Sequence, residues 1–258
     1  MKVVIFAGGL GTRISEETDT RPKPMVEIGG KPILWHIMKM YSYYGFNEFI
    51  VCLGYKGYVI KEYFMHYFLH NSDITIDLEN NSTEIHSTKT ESFKVTLVET
   101  GLGTKTAGRL KLVEKYLGNE DFMLTYGDGV SDVNMNDLMA FHKSHGKIVT
   151  VTAIQLEARF GGMDLGKNGD VLSFREKAKD EGKWINGGFF VLKHDVFKYL
   201  QGDVSGIMWE DEPLERLCND KELVAFRHYG FWKCMDALRD KIELEVLWKN
   251  NEARWKVW

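Results

Sequence analysis

The feature that most constrains this chain is its first strand. Lys2–Ala7 is an unbroken apolar run without polar alternation, the pattern of a strand buried on both faces. Such a strand belongs to a sheet covered by helices on either side, and the following sequence supplies them. Lys31–Tyr44 reads as an amphipathic helix with Ile33, Leu34, Ile37, Met38 and Tyr41 on one face, Pro32 in its first turn and Gly45 at its end. Glu48–Leu53 then reads as strand, Tyr58–Phe68 as helix, Val95–Glu99 as strand, Gly108–Tyr116 as helix, Phe122–Tyr126 as buried strand, Met135–His145 as helix and Val149–Gln155 as strand. This alternation predicts parallel pairing with right-handed crossovers.

Beyond residue 155 the rhythm changes. Met163–Leu165, Val171–Glu176 and Phe189–Leu192 read as short strands between glycine-rich turns, His194–Tyr199 and Glu212–Cys218 as short helices, and Asp236–Trp248 as a last long helix. The expected class is α/β: a Rossmann-like, mostly parallel mixed sheet flanked by helices, with a smaller mixed β/α layer packed onto it. No Pro- or Ser-rich linker interrupts the 258 residues, so one continuous domain is expected, residues 1–155 forming its nucleotide-type part and 156–258 the remainder. Asn71–Ser92 is polar and unassigned, an excursion that covers a site or meets a partner subunit.

Charge and cysteine content narrow the function. Lys+Arg number 33 and Asp+Glu 37, leaving −4, which disfavours nucleic acid as a partner. A phosphorylated small molecule needs only a few well-placed cations. Cys52, Cys218 and Cys234 are too far apart for a C-x-x-C clip, and their odd number makes no disulfide framework. No apolar run reaches the ~18 residues of a membrane span. The expectation is a cytoplasmic protein without membrane contact.

The first strand runs directly into Gly8-Gly9-Leu10-Gly11-Thr12-Arg13. Glycines in that place let backbone N–H groups approach anionic oxygens, although a tight turn alone would also use them. Two phosphate fingerprints fail: Ile14 stands where G-x-G-x-x-G needs glycine, and G-x-x-x-x-G-K-[ST] is absent. Shortly after comes Arg21-Pro22-Lys23-Pro24. Three of the four prolines fall at Pro22, Pro24 and Pro32, so Lys23 is expected on stiff, extended backbone, suited to facing one phosphate. Asp128 ends a buried strand between Gly127 and Gly129, beyond the carboxyl end of a sheet, where ligands gather and where a carboxylate can reach a metal. A turn Asp or a helix cap remains an alternative there, and a cap remains one for Asp236.

The glycine loop together with Pro22-Lys23-Pro24-Met25 resembles the signature of the sugar-phosphate nucleotidyltransferases, which join a nucleoside triphosphate to a sugar 1-phosphate and release pyrophosphate. The resemblance covers essentially the whole chain. Within the family, Met25–Ile33 with Trp35-His36, Gly54-Tyr55-Lys56-Gly57-Tyr58, Thr125-Tyr126-Gly127-Asp128-Gly129, Asn186-Gly187-Gly188-Phe189-Phe190 and Met235-Asp236 are similar to the branch that uses CTP and glucose 1-phosphate. The resemblance implies a nucleotidyltransferase-type fold and several roles. Gly8, Gly9, Gly11, Thr12, Arg13 and Lys23 would hold the nucleotide, Arg13 and Lys23 as the catalytic cations. Thr106, Gly108 and Arg109 would lie by the base. Asp128, also on the nucleotide, would share Mg2+ with Asp236. Tyr126, Glu176, Lys177, Asn186 and Gly187 would meet the acceptor. A homo-oligomer is implied as well. Three positions depart from the branch pattern: Ala178 and Cys234 replace prolines, and Ala107 replaces a glycine.

The implied chemistry needs no protein nucleophile. A phosphate monoester, with a second pKa near ~6, is mostly dianionic at neutral pH and attacks the α-phosphorus directly. The obstacle is repulsion between polyanions, which Arg13, Lys23, Lys177 and the metal would offset. Rival readings are the same reaction with UTP, dTTP or another phosphorylated acceptor, and a non-catalytic nucleotide-binding module. His66 and His70 have metal-compatible spacing but read as packing or surface residues. Trp209, Trp232, Trp248, Trp255 and Trp258 read as core or subunit contacts, with Trp248–Trp258 suited to docking on another subunit.

Overall fold

The structure is a computed structural model that describes residues 1–88, 90–155, 162–165, 170–175 and 183–258. Seven strands, numbered along the chain, form the central sheet: β1 (Lys2–Phe6), β2 (Glu48–Leu53), β3 (Lys94–Glu99), β4 (Phe122–Tyr126), β5 (Val149–Gln155), β6 (Trp184–Leu192) and β7 (Leu223–His228). Their spatial order is β7-β5-β6-β4-β1-β2-β3. All adjacent pairs are parallel except those of β6, which runs antiparallel to both β4 and β5. The expected mostly parallel mixed sheet is present, and its single reversed strand comes from the second half of the chain.

The apolar run of β1 is buried on both sides, as its composition demands. Val3 and Ile5 join a core with Ile33, Leu34, Ile37 and Tyr41 of the Ile33–Tyr43 helix. Val4 and Phe6 face the opposite core, with Ala107, Leu110 and Val113 of the Thr106–Leu117 helix, and with Phe197 and Trp209. Each such side chain contributes roughly 1.5–3 kcal/mol when fully buried.

Several boundaries differ from expectation for local reasons. Lys31-Pro32 pairs antiparallel with Glu27-Ile28, so the first long helix begins at Ile33. His194–Tyr199 is a 3-10 helix. Phe189–Leu192 is the end of a longer strand that starts at Trp184. Most of the polar Asn71–Ser92 segment is an antiparallel hairpin, Ser72–Asp77 with Ser82–Thr88. The Asp77 carboxylate accepts from the backbone N–H groups of Glu79 and Asn80 and fixes its turn. The last helix starts at Leu238 (residues to Lys249), not at Asp236.

The carboxyl-terminal segment folds onto its own chain. Trp255 is buried, stacks on Phe231 and donates from Nε1 to His36 Nδ1. Trp258 meets Trp35 edge-on. Burial pushes His36 down to about 4, so its ring stays neutral and Nε2–H donates to Ile28 O at 2.8 Å. Trp209 is a core residue, as expected. Among the described residues no helix is long and apolar enough to cross a membrane.

Candidate active site

A cavity of about 590 Å3 opens beyond the carboxyl ends of β1 and β4, where a parallel sheet presents its loops. It is walled by the Gly8–Arg13 loop, Lys23-Pro24, the 102–106 segment, Thr125–Gly129, Asn186–Phe189, Met208, Glu210, Trp232, Cys234 and Asp236, with Arg109 beneath. Most of the sequence-predicted site therefore converges on one place.

The loop glycines have separate reasons to be glycine. Gly11 has a φ of +66°, and a Cβ there would lie 2.9 Å from Thr18 Cγ2. A Cβ on Gly8 would strike the Arg109 guanidinium at 2.0 Å. A Cβ on Gly9 would meet nothing within 4 Å. Packing therefore does not demand glycine at position 9, where the backbone stays open to close approach.

Arg109, expected by the base, lines the cavity floor. It is 4% exposed, and its guanidinium is committed to the protein. Nη1 donates to Leu53 O (2.8 Å) and Thr100 Oγ1 (2.6 Å), and Nη2 to Gly8 O (3.0 Å). It ties the glycine loop to the end of β2. Gly108 is not among the residues that line the cavity and lets its helix pack against Ser205 and Thr104, where a Cβ would come within 2.7 Å of either. Thr106 does reach the cavity. Its hydroxyl donates to Glu210 Oε2 (2.8 Å) and accepts from Trp209 N (2.7 Å).

Lys23 stands at the centre. Pro22 is extended, but Lys23 opens a one-turn 3-10 helix closed by Met25 N–H to Pro22 O at 2.8 Å, so the extended backbone expected at Lys23 ends one residue earlier. Its ammonium donates to Asp128 Oδ2 at 2.6 Å and Asp236 Oδ1 at 2.8 Å, with only 12% of the side chain exposed. Burial works to lower the lysine pKa. The two carboxylates, Asp128 foremost, outweigh it, and the net shift is upward. For Asp236 burial pulls upward, but Lys23 and then Arg13 hold its carboxyl below the usual range. Arg13 reaches Asp236 Oδ2 at 2.9 Å from a side chain that is 74% exposed, leaving it free to turn to a ligand.

Asp128 and Asp236 are brought together by a two-stranded ladder, Gly129–Ser131 with Trp232–Cys234, closed by Met235 N–H to Asp128 O at 2.8 Å. The cap alternative for Asp236 does not hold, since the helix begins later. Its N-terminal end is served by Asp240, whose Oδ2 accepts from the N–H groups of Asp236 and Ala237. Cys234, next to this pair, has its thiol pushed up to about 11 by burial and by the charges of Asp236 and Asp128. Both aspartates contact one ammonium, so their oxygens already converge on a point that a cation occupies. Among the described residues no group of three His, Cys, Asp or Glu could hold a metal. A pair of carboxylates fits magnesium, which takes one or two such ligands and completes its shell from phosphates and water. His66 and His70 stack on one another instead, ring centroids 5.9 Å apart, beside a separate cleft of about 560 Å3.

On the far side of β4, the Tyr126 hydroxyl donates to Glu210 and accepts from Asn186 Nδ2 at 3.2 Å. Gly188, with φ +81°, packs against the Tyr126 ring, which would lie 2.6 Å from a Cβ. Trp232 Nε1 donates to Gly187 O at 2.7 Å. Glu210 and this use of Trp232 were not anticipated. Neither sits in a motif with fixed spacing, and only the sheet topology brings them here. Glu176 and Lys177 lie outside the described residues, as does Ala178.

Fold and site together place a cation-lined cavity at the head of a parallel sheet, where ligands gather. Residues 2–233 match the nucleotidyl transferase family, and the chain belongs to that family. It is 55% identical, over the full length of both chains, to the glucose-1-phosphate cytidylyltransferase of Salmonella typhimurium, and 46% identical, again over both full lengths, to a probable glucose-1-phosphate cytidylyltransferase of Bacillus subtilis. Among solved structures it resembles a putative glucose-1-phosphate thymidylyltransferase from Bacillus anthracis, with a TM-score of 0.70 at 17% identity, covering 98% of this chain and 95% of that one. At that identity the likeness speaks for the fold alone.

Proposed function

We propose that the chain transfers a cytidylyl group from CTP to α-D-glucose 1-phosphate, giving CDP-glucose and pyrophosphate. The observation that carries this reading is the 55% identity, from end to end, to a glucose-1-phosphate cytidylyltransferase. The geometry supplies a mechanism. The Gly8–Arg13 loop presents backbone N–H groups to the triphosphate. Lys23, held between two carboxylates, exchanges them for phosphate oxygens, and Arg13 turns from Asp236 towards the leaving pyrophosphate. A sugar-phosphate oxygen attacks the α-phosphorus in line with that leaving group. The two cations offset the charge that builds on the phosphorus oxygens. Asp128 and Asp236 would hold Mg2+, which when bound neutralises phosphate charge and orients the triphosphate. By resemblance, Lys177 would meet the acceptor phosphate, and Glu176, Asn186 and Gly187 its sugar.

Pyrophosphate release measured over a grid of the four ribonucleoside triphosphates, dTTP and several sugar phosphates tests the proposal. CTP with glucose 1-phosphate should give the highest kcat/KM. A higher value for another pair would replace the substrates, and CTP binding without turnover on any acceptor would make the chain a nucleotide-binding module.

We also place the protein in the cytoplasm as a homo-oligomer. Its three cysteines are unpaired, as a reducing compartment favours. The Gly57–His70 helix and the hairpin after it expose Met65, Phe68, Leu69, Ile76 and Leu78, an apolar surface of the kind that subunits cover.

A further inference from the structure

The cavity holds a carboxylate that the phosphate chemistry does not need. Glu210 lines it together with Thr106, Tyr126 and Asn186. Among the described residues its hydrogen-bond partners are both hydroxyls, Tyr126 on Oε1 and Thr106 on Oε2. Asp128 and Asp236, by contrast, are both paired with Lys23. An ionised carboxylate offers about four lone-pair sites and no donor, so Glu210 retains acceptor capacity after these two bonds. It repels phosphate and invites a neutral group that donates.

The bonds around it point to which group. Tyr126 donates to Glu210 and accepts from Asn186 Nδ2, while Asn186 Oδ1 accepts from Gly188 N–H at 2.8 Å. The chain Glu210–Tyr126–Asn186 thus runs to the Asn186–Gly188 turn. Thr106, pinned by Trp209 N–H, fixes the other carboxylate oxygen. A network with its own donors and acceptors assigned holds the remaining lone pairs in a fixed direction.

We propose that Glu210 is a specificity-determining residue that accepts hydrogen bonds from the ring hydroxyls of the acceptor sugar, and that its charge rejects acceptors carrying an acid on the ring. Tyr126 is the positioning residue that aims it. This rests on the proposed reading that the acceptor is a sugar phosphate. The cytosine amino group is the other donor in the reaction, and the experiment separates the two.

The test is steady-state kinetics of Glu210→Gln, with both substrates varied and with glucose 1-phosphate compared against glucuronic acid 1-phosphate. A lost hydrogen bond to a charged group corresponds to roughly 10–100-fold. The KM for glucose 1-phosphate should rise at least ~10-fold while the KM for CTP stays within about twofold. The glucuronic to glucose ratio of kcat/KM should rise, a gain of function that mere structural damage does not produce. Tyr126→Phe should shift the acceptor KM in the same direction by less, and provides the reading if the first variant does not fold. A rise in the CTP KM with the acceptor KM unchanged would overturn the proposal and assign Glu210 to the base. An unchanged acceptor ratio would also overturn it. Wild-type turnover of a different sugar phosphate would instead replace the proposed acceptor, and the Glu210 comparison is then read with that sugar and its uronic acid.

Discussion

Lys23 concentrates the electrostatics of the site in one atom. Its ammonium touches two carboxylates, and its raised pKa keeps it charged through the neutral range. Lys23→Gln should lower kcat/KM by ~10²–10³, the cost of losing one well-aimed donor at a developing charge, and pyrophosphate release measures it. Arg109 calls for the opposite outcome. Arg109→Met removes three hydrogen bonds from a charged donor, each contributing ~1.5–3 kcal/mol, although Gly8 O keeps the N–H of Tyr55 and Leu53 O that of Thr100. Denaturant unfolding should show a loss of more than ~2 kcal/mol, with the CTP to UTP preference unchanged. A changed base preference at full stability would return Arg109 to the base. A motif marks that an arginine stands near the loop, but the direction of a guanidinium on a helix depends on which acceptors the tertiary fold places within its reach, here Gly8 O, Leu53 O and Thr100 Oγ1.

At the scale of elements, the strands and helices bounded by turn residues were legible. Glu48–Leu53, Phe122–Tyr126, Met135–His145 and Val149–Gln155 have the ends their apolar runs predict. The hairpin of residues 72–88 was not, because its strands are mostly polar and exposed. The last helix was misplaced by two residues because an Asp looked like its cap, whereas the capping carboxylate is Asp240, inside the first turn. The correction frees Asp236 for the site. Asp240→Ala should cost about 1 kcal/mol of stability, typical of a lost cap, and should also weaken activation by Mg2+, since the backbone N–H of Asp236 loses its anchor. A variant with unchanged stability and an unchanged Mg2+ midpoint would show that Asp240 does neither.

For the whole molecule, the site depends on a sheet built from both halves of the chain. The reversed strand β6 carries Asn186–Gly188 to the cavity, and the ladder between Gly129–Ser131 and Trp232–Cys234 delivers Asp236. The loop and Asp128 were readable because each follows the end of a strand, and Lys23 because prolines flank it. Glu210 was not, since it stands just ahead of the Glu212–Asn219 helix and only the three-dimensional fold puts it beside Tyr126. The carboxyl-terminal segment closes the same body, with Trp255 inserted against His36 and Phe231. Trp255→Ala should lower stability by ~3–5 kcal/mol, the range for deleting a buried aromatic, without changing the sedimentation coefficient of the folded protein. Dissociation at full subunit stability would instead place that segment in an interface.

The claim on which the mechanism turns is that Lys23 trades its two aspartates for the phosphates of the nucleotide. A crystal structure of the protein with CTP and Mg2+ tests it directly. The account predicts the triphosphate over the Gly8–Arg13 loop, Lys23 Nζ on an α-phosphate oxygen and no longer on Asp128 or Asp236, and the metal on those two aspartates. A triphosphate bound elsewhere, with Lys23 still bridging both carboxylates, would contradict it.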